Sequence, residues 1–145
     1  MNTKSYWIDE FRHRLNEMSH EHERDAVRLG SEGDVTAAVL AKIRRNVVDI
    51  FIRMLEVCAR EPVQAMTPAL RKIVSEHPVR EARERAMFEY YLRMIPGSWE
   101  QALEEAIRFE DREAEMKERC KLDVRDRILA GYRETVGPET GRRLG

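Results

Sequence analysis

Residues 34–60, "DVTAAVLAKIRRNVVDIFIRMLEVCAR", constrain this chain more than any other stretch. Placed at about 100° per residue, Val39, Ile43, Val47, Ile50, Phe51, Met54 and Cys58 cover one side of a helix. Ala37, Ala41, Val48, Ile52 and Leu55 cover much of the other side, and only Lys42, Arg45, Asp49, Arg53, Glu56 and Arg60 make a clearly polar strip. A helix apolar nearly all round must bury more than one side. The segment therefore belongs at the centre of a helical bundle, or its second face meets another subunit. In the second case Ala41, Val48, Ile52 and Leu55 supply the interface of a homo-oligomer, a dimer first of all, or of a complex with a protein partner.

The remaining elements follow from punctuation. With 7 glycines and 5 prolines among 145 residues there is little turn material for a β fold. The expected class is all-α, a compact bundle of about five helices with a long C-terminal helix. A first helix is expected over 5–29, carrying the stripe Trp7, Phe11, Leu15, Met18, His22, Ala26 and Leu29, with Gly30 as its left-handed cap. Asp34 or Ser31 caps the second helix, and Pro62 forbids its extension. Thr67-Pro68 reads as an N-cap followed by proline at the first helical position, opening a short third helix to His77. Pro78 restarts or kinks the chain into a fourth helix that ends at "IPG".

Ser98 and Gln101 have capping-box spacing, so a fifth helix is expected to begin there. It either runs unbroken to about 134, spanning roughly 50 Å at ~1.5 Å per residue, or breaks near Leu122-Asp123. Trp99, Leu103, Ala106 and Ile107 begin its core stripe, and Val124, Ile128 and Tyr132 resume it. Between them "EDREAEMKERCK" offers only Ala114, Met116 and Cys120, as a protruding arm or a seam for a second chain would. One domain is expected over 1–134, with a tail over 135–145.

Charge narrows the function. The 26 basic and 27 acidic residues nearly cancel, and the 21 arginines are interleaved with acids, as in "REARERAMFE". Mixed signs at helical spacing describe solvated faces laced with i,i+4 pairs. A nucleic-acid binder would show a stripe of one sign, which argues against nucleic acid as a partner. "NVVDIFIRMLEVCA" is interrupted by Asp49, Arg53 and Glu56, which argues against a membrane span. The first residues contain no continuous apolar run of signal-peptide type. Two cysteines are too few for a disulfide framework. The expected setting is the cytoplasm, with no membrane partner.

Three histidines crowd into "HRLNEMSHEHE". His13, Glu17 and His20 are spaced i, i+4, i+7 on one helical face, as metal ligands would be, and Glu17-x-x-His20 is half of the pattern used by di-iron bundles. That face points away from the Trp7/Phe11/Met18 stripe, and no Glu-x-x-His lies on any other expected helix. An ordinary surface face is the preferred reading. His22 falls inside the apolar stripe, and His77 continues the stripe of Met66, Leu70 and Ile73. Should the two meet, they would make a ligand pocket; separately, each is a core or helix-end histidine. Cys120 lies between Arg119 and Lys121, where positive charge can lower a thiol pKa. No base accompanies it, and no phosphate-binding glycine loop, H-E-x-x-H, G-x-S-x-G or C-x-x-C occurs. No catalytic residue is assigned and no cofactor is expected.

"YLRMIPGSWEQALEEA", residues 91–106, resembles the start of the helix-turn-helix of sigma-factor-like phage regulators, chiefly through Ser98-Trp99-Glu100. The resemblance implies a DNA-binding regulator whose recognition region would be "RFEDREAEMKER". That region has at least as many acids as bases, and no glycine-containing turn follows Ala106. The leading expectation is a non-enzymatic helical protein acting by homo- or hetero-association. A bundle binding a small ligand or metal through histidines comes second, and a DNA-binding regulator third.

Overall fold

A computed structural model describes residues 6–60 and 67–137. The expected features at Ser5, Pro62 and Met66, and most of the 135–145 tail, lie outside these residues. The described chain is all-α: α1 (Trp7–Ser31), α2 (Val35–Ala59), α3 (Pro68–Glu76), α4 (Arg80–Met94), α5 (Gly97–Arg108) and α6 (Arg112–Val136). The last helix is long, as expected, and the segment from 98 to 134, expected either to run unbroken or to break near Leu122-Asp123, is two helices.

α2 is the central helix, with α1, α4 and α6 all packed against it. α1 runs antiparallel beside it, because rising positions on α1 pair with falling ones on α2: Arg12 with Glu56, Ser19 with Asp49, Glu23 with Arg45. α6 is antiparallel to α1 in turn, through Arg14–Glu134 and Glu21–Arg127. The strip of α2 that looks solvent-facing in sequence is therefore a seam. Arg12 donates from both Nε and Nη2 to the Glu56 carboxylate, Ser19 Oγ donates to Asp49 at 2.8 Å, and Arg45 donates to Glu23. Half-exposed pairs of this kind contribute about 0–1 kcal/mol each. They fix orientation more than they stabilise.

Stability comes from the aromatic centre. Phe88 of α4 has ring centroids 5.4 Å from Phe11, 5.4 Å from Tyr132, 6.1 Å from Trp7 and 6.3 Å from Phe51. Most of these approaches are edge-to-face or tilted, the arrangement that the ring quadrupole favours. Four helices thus meet on one fully buried ring. Gly131 lets α1 approach α6 here, since a Cβ at that position would lie 3.1 Å from Arg14 Cδ and 3.7 Å from Phe11 Cε1.

Two turns at one end of the bundle use the same device. α1 continues through Gly30 to Ser31, and the left-handed residue is Gly33, with φ 83°. Gly33 N–H donates to Gly30 O at 3.1 Å and Asp34 N–H to Leu29 O at 2.9 Å, the two bonds of a Schellman motif. Asp34 then caps α2, accepting from Ala37 N–H at 3.1 Å. α5 ends identically: Glu110 N–H donates to Ile107 O at 3.2 Å and Asp111 N–H to Ala106 O at 2.8 Å, with Asp111 capping α6 through Ala114 N–H at 3.1 Å. The left-handed position is Glu110, φ 55°, where glycine is the usual occupant. This is the break, at 109–111 rather than near Leu122-Asp123, and it leaves Ile107 exposed instead of in the core.

Two caps turned out differently from one another. Thr67 Oγ1 accepts from Leu70 N–H with Pro68 opening α3, as expected. The Ser98/Gln101 box does not form. Ile95 and Pro96 already have helical dihedrals, so α5 opens at Pro96 and Ser98 lies inside it with no orphan amide to cap in the expected way.

Candidate functional site

The residues singled out from sequence occupy separate parts of the fold. His13 and Glu17 are exposed and 3.5 Å apart, and His20 is exposed beside them. Among the described residues no group of three or more His, Cys, Asp or Glu side chains is placed to hold a metal. His77 ends α3, its Nδ1 2.8 Å from Ile73 O, satisfying a helix-end carbonyl. It lies three residues before Arg80, whose guanidinium sits 5.7 Å from the ring of Tyr6 at the start of α1. His22 is 16 positions farther along α1, ~24 Å at ~1.5 Å per residue. The two histidines do not share a pocket.

His22 itself is almost completely buried, 3% exposed. Among the described residues neither ring nitrogen has a hydrogen-bond partner. Burial depresses its basicity, and Arg127 and Arg44 act in the same direction against Glu21 and Asp25.

The four α2 residues considered for an intermolecular interface are covered from within. Ala41, Val48 and Leu55 are fully buried, and Ile52 packs half-buried against the same core. α1, α4 and α6 together use the apolar circumference that an isolated reading of α2 leaves over, because helices distant in sequence reach it from different sides.

Both cysteines are buried and free. Burial, with a smaller effect of Glu84, pushes the Cys58 thiol up to about 12. Burial also raises Cys120, outweighing the neighbouring cations, and its Sγ lies 3.6 Å from Leu40 O. Arg119 and Lys121 instead pair along the helix, with Glu115 and Glu118. A low-pKa nucleophile is not what this environment makes.

One buried polar residue escaped the sequence reading. Glu84, within the charge-rich "REARERAMFE", is 2% exposed. Its Oε2 accepts from Tyr6 Oη and from Arg80 Nε at 2.9 Å, while Oε1 has no partner among the described residues. Burial, then the bond to Glu84, pushes the Tyr6 hydroxyl up to about 12. The signal was present: Glu84 precedes Phe88 by one helical turn and shares its stripe. The arrangement clamps the start of α1 to α4.

A group of exposed apolar side chains lies elsewhere, at the end carrying the two Schellman turns. Val35, Val39 and Leu40 of α2 face Glu113, Met116 and Lys117 of α6 across a groove of about 390 Å³. Of the eight large apolar side chains exposed among the described residues, five belong to this end: Val35, Val39, Ile107, Phe109 and Met116. Phe109, in the α5–α6 turn, is 72% exposed with the Arg108 guanidinium over its ring at 5.3 Å.

Beyond the segment that resembles a helix-turn-helix, a tight turn at 109–111 joins α5 to α6. Glu100 on α5 pairs with Arg125 on α6 at 3.6 Å, so the two lie side by side as an antiparallel hairpin. Cys120, Val124, Ile128 and Tyr132 of α6 are buried in the bundle. No helix among the described residues is long and apolar enough to cross a membrane. No protein-family model, curated protein or solved structure matches the chain.

Proposed function

We propose that this chain works by association, pairing with a second copy of itself through the end built from the starts of α2 and α6 and the α5–α6 turn. The observation that carries this reading is the concentration there of Val35, Val39, Ile107, Phe109 and Met116, all exposed. Clustered apolar side chains mark interaction surfaces, whereas single ones scattered over a surface do not. The occupant is argued from charge. The groove is rimmed by an acid and a base, Glu113 and Lys117, already paired at 3.1 Å along α6. A two-fold axis sets such a rim against its own complement, and a formal net charge of −1 keeps repulsion between copies small. Reduced thiols at Cys58 and Cys120 accord with a cytoplasmic setting.

Size-exclusion chromatography with light scattering, across micromolar concentrations, tests the proposal. A dimer that Phe109→Glu or Val39→Asp converts to a folded monomer supports it. A monomer at every concentration, or a dimer indifferent to both substitutions, overturns it.

A further inference from the structure

We propose that His22 makes the junction of α1, α2 and α6 acid-labile, so that protonating its ring loosens the seating of α6 on the other two helices. The geometry is specific. His22 occupies the buried stripe of α1 between Met18 and Ala26, 3% exposed, with no partner among the described residues for Nδ1 or Nε2. A neutral imidazole buried this way leaves one donor and one acceptor unmatched. The imidazolium would leave two donors and a full charge unmatched in the same walls, which is the costlier state.

The charges facing His22 do not supply a counterion. Glu21 and Asp25 come from α1, Arg44 from α2 and Arg127 from α6. Both carboxylates are already engaged, Glu21 with Arg127 at 3.7 Å and Asp25 with Arg28 at 3.6 Å. The cations contributed by the two facing helices repel an imidazolium. Acid therefore works against the packing that holds α1, α2 and α6 together.

The direction of the pH effect follows from linkage. In the unfolded chain His22 titrates near its ordinary 6.5, and in the fold it titrates lower. Between the two values the unfolded chain binds more protons, so stability falls as pH drops. The contribution is fully present above 6.5, declines by up to about tenfold in folding constant per pH unit below it, and levels off beneath the folded value.

Two measurements decide. The ring resonances of His22, assigned in the intact chain by NMR, should titrate with a midpoint below 6.5. Urea unfolding at pH 7.5, 6.5 and 5.5 should show a loss of stability in the native chain that is smaller in His22→Leu, by up to about tenfold in folding constant over the lowest step. A ring midpoint at or above 6.5, or an identical pH dependence in His22→Leu, overturns the proposal. Because the ring titration is read on the unaltered chain, it decides even where His22→Leu fails to fold.

Discussion

Glu110→Gly tests the turn that divides α5 from α6. Glu110 holds φ 55°, a conformation that costs an L-residue about 1–2 kcal/mol relative to its preferred ones. Its side chain is exposed and makes no hydrogen bond or ion pair among the described residues, so replacement removes none of these. Against the gain stands glycine's larger freedom in the unfolded chain, about 0.4–1 kcal/mol. The difference predicts a net stabilisation of roughly 0.5–1 kcal/mol, or a rise in Tm of about 1–4 °C for a chain of this size. Thermal unfolding followed by circular dichroism at pH 7 resolves such a change. Glu110→Ala is the control, because it removes the same charge from a helix C-terminus without relieving the dihedral. The equivalent residue of the other turn gives the reciprocal. Gly33, φ 83°, has nothing within 4 Å of the point where a Cβ would stand, so Gly33→Ala should lose about 1 kcal/mol from conformation alone. If Glu110→Gly lowers Tm, or Glu110→Ala raises it equally, the left-handed strain is not what limits this turn.

Three further outcomes are expected. Phe88→Ala should lose about 3–5 kcal/mol in urea unfolding, because the deleted ring is the common neighbour of Phe11, Phe51, Trp7 and Tyr132; a loss below that of an ordinary surface change would mean that the four helices do not converge there. Tyr6→Phe leaves the buried Glu84 carboxylate with Arg80 as its remaining donor among the described residues and should cost about 1–3 kcal/mol, while an unchanged urea midpoint would show that the clamp between α1 and α4 is energetically idle. Cys58, pushed up to about 12 by burial, and Cys120, also raised, should resist a disulfide thiol reagent at pH 8 in the native protein and react promptly in urea; fast native labelling at either position would contradict the burial.

How much of this was legible beforehand depends on whether the cause is local. The stripe from Trp7 to Ala26, the central place of α2, the Asp34 and Thr67 caps and the Val124–Ile128–Tyr132 stripe all follow from residue types within a turn or two of one another. The break at 109–111 did not, although Asp111 is as good a capping residue as Asp34. The difference is that Gly33 announces a left-handed position and Glu110 does not. Ser98 misled in the opposite way: its sequence suits a cap, but Pro96 had already started the helix. The histidine cluster could be weighed from spacing, yet only the fold could separate His22 from His77.

Helical periodicity, the sign and mixing of charge, and the punctuation by proline and aspartate were determined by the sequence alone, because each acts across a single turn of backbone. What covers Ala41, Val48 and Leu55, which acids and bases zip α1 to α2, that Tyr6 reaches the buried Glu84 and why His22 faces arginines with no hydrogen-bond partner among the described residues were decided by tertiary structure. Those are relations between residues tens of positions apart, and helical spacing carries no information about which face of one helix will meet which face of another.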